Sequence, residues 1–413
     1  MNVIRRIGAY ILLVGVYGFT WLVAVVGGAI PRRAWKPTGR IMVTGTFFNP
    51  NWYLSHITPL TRSGVKEVIL VIDEPQLPLD GVTFVCPPKW LAKLISRAGA
   101  KAIWVFYAGI RYWPDLYMGY HIIPGACSAL IAGRLLGRPS CYQVTGAPLG
   151  FIRRFPEAVG SDEGLASRSK LIEAMALRVV KQFDYIVVRG NKAKEYLVSN
   201  GVECPIDIIT GSVNGHRQSP RNGRDIHLIY VGQLSRIKQV DQFIAIVESV
   251  ARVIPSVRAA IVGDGPLMTE LRTAVRQLGL ARNIEFFGKR VDVEAFLVRA
   301  CIFVLTSKSE GLSIAMAEAM TAGVVPVVAD VGELGDLVTN GVNGYLVEPN
   351  NIAEYSMRIV SLLQNPAMWA QCSRRAIENA RSYSDIEVIT EKWRRVLRHC
   401  AGPEFDLKQG AVQ

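Results

Sequence analysis

The 413-residue chain is long enough for two domains of ordinary size, and with 50% hydrophobic and 20% charged residues it can bury large cores, which excludes wholesale disorder. Its net charge of +13 is lopsided: Met1–Val213 holds 24 Lys and Arg against 13 Asp and Glu, a surplus of 11, leaving 2 for the remainder. A basic half fits nucleic acid, an anionic membrane or a phosphorylated substrate, but no helix-turn-helix, zinc-finger or RNP pattern accompanies it, so nucleic acid is not an expected partner.

Along the chain, Ile7–Ile30 comes first: it carries no charge and is apolar apart from Thr20 and several Gly. That length exceeds the roughly 20 residues a bilayer-crossing helix needs. Arg5 and Arg6 precede it, and Arg32, Arg33, Lys36 and Arg40 follow. The heavier basic cluster keeps everything after it on the cytoplasmic side. The reading is therefore an anchor with a basic flank over 1–36, in an inner (cytoplasmic) membrane. A signal peptide cleaved near Gly27-Gly28-Ala29 and a monotopic or re-entrant hairpin are the alternatives.

Short apolar runs then alternate with amphipathic stretches. Strands are expected at Arg40–Thr44, Val68–Ile72, Ala102–Tyr107, Ser140–Val144, Tyr185–Val188 and Ile206–Ile209. A second series covers His227–Tyr230, Arg258–Val262, Ile284–Phe287, Ile302–Leu305 and Val325–Val328, with helices such as Met268–Leu278 between them. Alternating strands and helices give doubly wound parallel sheets, so the fold class is α/β with two Rossmann-like domains facing a cleft. The expected bounds are 37–213 and 225–385, with a linker at 214–224, a C-terminal helix at 386–400 and a tail at 401–413. Seven scattered cysteines, without a CxxC or Cys/His cluster, suggest neither a zinc site nor a disulfide framework.

The chemistry is concentrated in Ser309–Gly323. Gly311 allows a tight turn out of strand Ile302–Leu305 into a helix, and the amides of Gly311, Leu312 and Ser313 at a helix N-terminus suit a diphosphate. Glu310 and Glu318 are expected on one face of that helix, where carboxylates can each accept two sugar hydroxyls.

This stretch resembles the Glu, seven residues, Glu motif of the retaining GT-B glycosyltransferases of family 4. Tyr230–Lys238, Val262–Leu267, Asn283–Gly288 and Gly341–Val347 are similar to further family segments in the same order, so the resemblance covers Asp225–Pro349 densely. It implies that Lys238, helped by Arg236, neutralises the donor diphosphate. It also implies that Glu310 touches the transferred sugar, that Glu318 holds the ribose, and that Gly288, Lys289 and Arg290 lie beside the base. It implies no metal and no other cofactor. Two positions depart from the pattern: Gln233 stands where the family usually has Arg, and Thr145 where it has an N-domain His; His121 either takes over that role or is a satisfied structural residue.

In the N-terminal half, Asn49 and Asn51 follow the first strand, where the family often has an acceptor-side loop. Pro88–Arg97 is basic and amphipathic, which suits either an anionic membrane surface or packing on the sheet. Together these features imply transfer of a sugar from a nucleotide diphosphate-sugar, with retention, to a lipid-linked or membrane-associated acceptor in envelope polysaccharide or glycolipid assembly. A nucleotide-binding membrane scaffold without turnover is the alternative, motivated by Gln233 and Thr145.

Overall fold

The structure, a computed structural model, describes residues 2–29, 35–47, 50–145, 169–213 and 223–402. Residues 214–222 of the expected linker, 403–413 of the tail, and Arg32, Arg33 and Asn49 lie outside the described residues. Two compact units form: Met1–Gly211 joined by Ile389–Gln413, and Ser212–Val388.

The N-terminal unit is built on a seven-stranded parallel sheet of order β3-β2-β1-β4-β5-β6-β7. Its strands are β1 (Arg40–Thr44), β2 (Glu67–Val71), β3 (Val82–Val85), β4 (Leu116–Tyr120), β5 (Ser140–Gln143), β6 (Tyr185–Val188) and β7 (Ile206–Ile208). Both faces are covered, which is why runs such as Ile41-Met42-Val43 are apolar without alternation. On one face lie α2 (Pro50–Arg62) and the last helix, α13 (Ile386–Ala401), whose Ile389, Trp393, Val396 and Leu397 join the core of Ile41, Val43 and Met118. The other face carries α3 (Lys89–Tyr112), α4 (Cys127–Leu135) and α5 (Lys170–Val180), packed on Met42, Tyr117, Tyr142 and Ile186. α1 (Asn2–Gly28) packs against α4 and α5, and α6 (Asn191–Ser199) lies beside β6 and β7.

One expected strand is a helix. Ala102–Tyr107 falls inside α3, where Val105 faces the core while Ile103, Phe106 and Tyr107 face outward. A helix apolar on both faces loses its 3.6-residue signature, and its β-branched and aromatic residues then read as a strand. The strand at that level of the sheet is instead β4, and the short β3 was likewise not expected from the sequence.

The C-terminal unit holds a six-stranded parallel sheet, β10-β9-β8-β11-β12-β13. Its strands are β8 (Ile226–Val231), β9 (Ala259–Val262), β10 (Ile284–Gly288), β11 (Ala300–Leu305), β12 (Val325–Ala329) and β13 (Tyr345–Val347). Six helices flank it: α7 (Val240–Val253), α8 (Met268–Gln277), α9 (Glu294–Leu297), α10 (Ile314–Thr321), α11 (Ile352–Gln364) and α12 (Pro366–Ser384). Buried Arg224 donates to the carbonyls of Ala300 and Ala322, tying the start of the unit to β11 and to the end of α10. In both sheets the strand order reverses once, between β1 and β4 and between β8 and β11. Open parallel sheets bind ligands just beyond the carboxyl ends of strands at such a point.

Candidate active site

In the C-terminal unit the switch point is bounded by the loop after β8 and the loop after β11. The first, Gly232–Gln239, rests on the turn after β9. Leu234 N donates to Asp264 O at 3.0 Å, and the Tyr230 hydroxyl donates to Gln233 O at 2.9 Å. Gly263, at φ +148°, is what lets the two turns meet, since a Cβ there would lie 1.8 Å from the Gly232 carbonyl oxygen. Gly263 N in turn donates to Gly288 O at 2.8 Å, so the turns after β8, β9 and β10 are laced together in order.

The loop ends in a short 3-10 turn, Arg236–Lys238, and a left-handed Gln239. The Thr306 hydroxyl is shared between the carbonyls of Lys238 (3.2 Å) and Gln239 (2.8 Å), while Lys308 N donates to Ile237 O at 2.9 Å. Both anchors come from the segment after β11, so the two loops are one rigid piece. Lys238 Nζ lies 2.5 Å from Glu310 Oε1, and the Ser307 hydroxyl donates to the same oxygen at 2.6 Å. Glu310 is only 9% exposed, and its backbone is backed by Gly332, where a Cβ would lie 1.8 Å from the Glu310 carbonyl oxygen. The structure thus brings Lys238 and Glu310 together, 72 positions apart in sequence.

α10 starts where the sequence suggested. It begins at Ile314, with Ser313 as its cap, the hydroxyl accepting from Met316 N at 3.3 Å. Gly311, Leu312 and Ser313 therefore form the approach to the helix, and the buried Leu312 side chain pins that approach to the core. Glu310 lies before the helix and Glu318 in its second turn, so the two carboxylates do not share a helical face as expected. The expectation carried helical spacing back across the Gly311 turn to Glu310, and that spacing sets a common face only where both residues are helical. Glu318 is partly buried, and that burial lifts its carboxyl to about 7.

Gln233 and Arg236 are exposed on the rim of the β8 loop, and Lys289 is exposed after β10. Arg290 forks onto Asp292 at 2.9 and 2.7 Å and lies over the Phe296 ring, so its guanidinium is occupied. Ser307, Thr306 and Gln239 were missed by sequence reasoning; Ser and Thr beside a motif carry no signal until the fold shows what they hold.

In the N-terminal unit His121 stands at the β1/β4 switch point, directly after β4. Its backbone is left-handed at φ 57°, and its ring centroid lies 6.0 Å from that of Trp52 in α2. His56, one turn further along α2, packs on Trp52 (4.6 Å) and Tyr120 (5.7 Å). Burial, then the charges of Arg189 and His121, hold its imidazole well below the usual histidine range. The buried side chains of Tyr120 and Gln143 lie on paired residues of β4 and β5. His56 and Gln143 were not singled out from sequence, because a lone buried polar residue looks like any core satisfier. Among the described residues, no group of His, Cys, Asp and Glu is placed to hold a metal ion.

Residues 214–383 match the family model of glycosyl transferases group 1. That match falls within the C-terminal unit and spans most of it. A Staphylococcus aureus poly(ribitol-phosphate) alpha-N-acetylglucosaminyltransferase is 31% identical over 228 residues, 54% of this chain and 42% of its own length. An uncharacterized glycosyltransferase of Haemophilus influenzae is 30% identical over 172 residues, 41% of this chain and 48% of its own length. The chain thus spans less than half the length of these curated relatives. Among solved structures, Anabaena HepE in complex with UDP superposes with a TM-score of 0.67 at 18% identity, covering 87% of this chain and 99% of its own. WaaG, a glycosyltransferase involved in lipopolysaccharide biosynthesis, superposes at 0.65 and 16% identity, covering 86% and 99%. At such identities the likeness shows the fold, two Rossmann-like domains of the GT-B class.

Proposed function

We propose that the protein is a retaining glycosyltransferase that moves a sugar from a nucleotide diphosphate-sugar to a lipid-linked or membrane-associated acceptor in envelope polysaccharide or glycolipid assembly. The observation that carries this reading is the Lys238–Glu310 pair at the β8/β11 switch point, four residues from the start of α10. An ammonium beside a helix N-terminus favours a diphosphate, and it stabilises the charge that grows on the leaving group as the glycosidic bond breaks. Engagement of Lys238 by phosphate oxygens frees Glu310 to accept hydroxyl donors from the transferred sugar, while Ser307 keeps the carboxylate aimed. Glu318, in the second turn of α10, is assigned to the ribose hydroxyls. Arg236 and Gln233 line the phosphate side, and Gly288, Lys289 and Arg290 the base side, Arg290 through its backbone.

Retention is supported by the Staphylococcus relative, whose name specifies an alpha-linked product, the outcome of retention from an alpha-configured donor. The names of the same relative and of WaaG point to envelope polymers as acceptors. His121, which directly follows β4 at the N-terminal switch point, is assigned to contact with the sugar.

Thermal stabilisation by UDP, GDP and ADP identifies the base, with UDP expected to give the largest shift. Glu310→Ala should lower kcat at least about a hundredfold while changing the UDP dissociation constant less than about threefold, because its partner is the sugar. If Glu310→Ala transfers at the parent rate, the assignment fails. If the parent protein binds UDP but neither transfers sugar nor hydrolyses UDP-sugar, the chain is a nucleotide-binding scaffold.

A further inference from the structure

α1 has the length and hydropathy of a membrane span, Tyr10–Gly28 averaging 2.1 in hydropathy, yet it is built into the N-terminal unit. Its buried residues are Leu13, Tyr17, Thr20, Ala24 and Gly27, spaced 4, 3, 4 and 3 apart. That is the heptad seam of one helix packed along others. The seam fits α4 and α5: a Cβ on Gly27 would lie 2.9 Å from Arg134 Cβ, and Gly18 sits against the Met175 side chain. Thr20 turns its hydroxyl back to Val16 O at 2.7 Å, hiding the polar group of the seam. A helix whose seam is occupied by its own domain cannot run alone through a bilayer, because α4 and α5 would have to enter with it.

The opposite face of α1 is bare and apolar: Ile11, Leu12, Phe19, Leu22, Val25 and Val26 are 42–64% exposed. On the same side of the sheet, α3 presents a second bare stripe, Ile103, Phe106, Tyr107 and Ile110, at the i, i+3, i+4, i+7 spacing of one helical face, with Leu94 and Trp90 standing out before the kink at Ser96. A soluble helix turns polar residues outward; these two do the reverse. The charge carried by these helices and by α4 has one sign. α1, α3 and α4 contain no Asp or Glu, and Lys89, Lys93, Arg97 and Arg111 are exposed on α3.

We propose that α1 and α3 form a two-helix monotopic platform, seating the N-terminal unit in one leaflet of an anionic bilayer with both ends of α1 on the same side. Apolar stripes enter the acyl boundary and the lysines and arginines meet headgroup phosphates, each contributing on the order of a tenfold gain or less near a charged surface. This deepens the membrane-acceptor reading above. It is independent of the donor chemistry, so UDP binding by the same preparations separates a failure of the platform from a failure of that reading.

The test uses the full chain in membrane vesicles whose cytoplasmic face is outward. Cysteines introduced singly at Gly8 and Gly28, scored above the native background with a membrane-impermeant maleimide, should both react from that face. Protection of one of them until detergent is added would establish a span and overturn the platform. In parallel, the purified chain should float with vesicles containing phosphatidylglycerol and far less with phosphatidylcholine alone. The combined Ile103→Glu and Ile110→Glu variant should lose at least about tenfold in vesicle partition while keeping its UDP-induced thermal shift. Flotation equal to the parent's would show that α3 takes no part. A change in self-association with flotation intact would mean that the stripes dock a second copy instead, and would equally overturn the proposal.

Discussion

In the proposed reading the donor chemistry turns on Lys238, the cation the fold brings to Glu310 beside the approach of α10. Gln233 offers no charge to replace it. Lys238→Ala should reduce transfer by about a hundredfold or more, equivalent to roughly 3 kcal/mol of lost transition-state stabilisation. Steady-state kinetics would show this as a fall in kcat, with a melting temperature held near the parent's by the Ser307–Glu310 bond; near-parent kcat would move the role to Arg236. Glu318 gives a pH signature. Burial raises its carboxyl from an ordinary 4.5 to about 7, so between those values the folded chain holds a proton that the unfolded chain has released. Its contribution to stability therefore falls as pH rises from about 4.5 to about 7, by at most about 3 kcal/mol, and is flat outside that window. Comparing denaturant midpoints of parent and Glu318→Gln at pH 5 and pH 8 isolates the effect. The parent should lose more stability over the interval, and equal losses would show that burial does not hold the proton. If Glu318 takes the ribose hydroxyls as proposed, UDP affinity should move the opposite way, rising with pH as the carboxylate forms.

At the scale of elements, the site depends on turns that carry no catalytic group. The turn after β9 supports the β8 loop only because Gly263 combines a positive φ with no side chain. Gly263→Ala should cost about 2 kcal/mol or more, from backbone strain and collision with the Gly232 carbonyl, and should displace Lys238 as well. Gly341, at φ +75° with nothing within 4 Å of its Cβ position, is the control, and Gly341→Ala should cost about 1 kcal/mol. Thermal melts with and without UDP read both quantities. A Gly263→Ala variant as stable and as nucleotide-responsive as Gly341→Ala would mean the turns are not coupled. The start of α10 at Ile314 matters in the same way, since the capped helix begins only after the chain has passed Glu310, leaving that residue in a loop braced by Gly332 and Ser307.

Across the whole molecule, the uneven charge has a spatial meaning. The surplus of 11 in the first half falls on a unit whose outer helices are both basic and apolar, whereas the C-terminal unit is close to neutral. Membrane binding by the full chain should therefore weaken with salt but persist in part, because screening acts on Lys89, Lys93 and Arg97 while the apolar stripes remain. Replacing those three by Gln should flatten the salt dependence of flotation on anionic vesicles and leave transfer to a soluble acceptor analogue at the parent rate. An unchanged salt dependence would place the attractive charge elsewhere on the unit.

The sequence by itself determined the two parallel sheets and singled out the Glu310–Glu318 stretch, because fully buried strands, glycine turns and that spacing are local features that survive without knowledge of the fold. It misread Ala102–Tyr107, since a helix with two apolar faces has no periodicity to report. It also placed Glu310 and Glu318 on a common helical face, which the Ser313 cap rules out. Only the tertiary structure decided that Lys238 meets Glu310 with Ser307 bonded to the same carboxylate, and that His56 stands near His121. Only the tertiary structure, too, showed the apolar segment at the N-terminus as a packed helix. These are contacts between residues far apart in sequence, and their energies exist only once the strand order has brought the loops together.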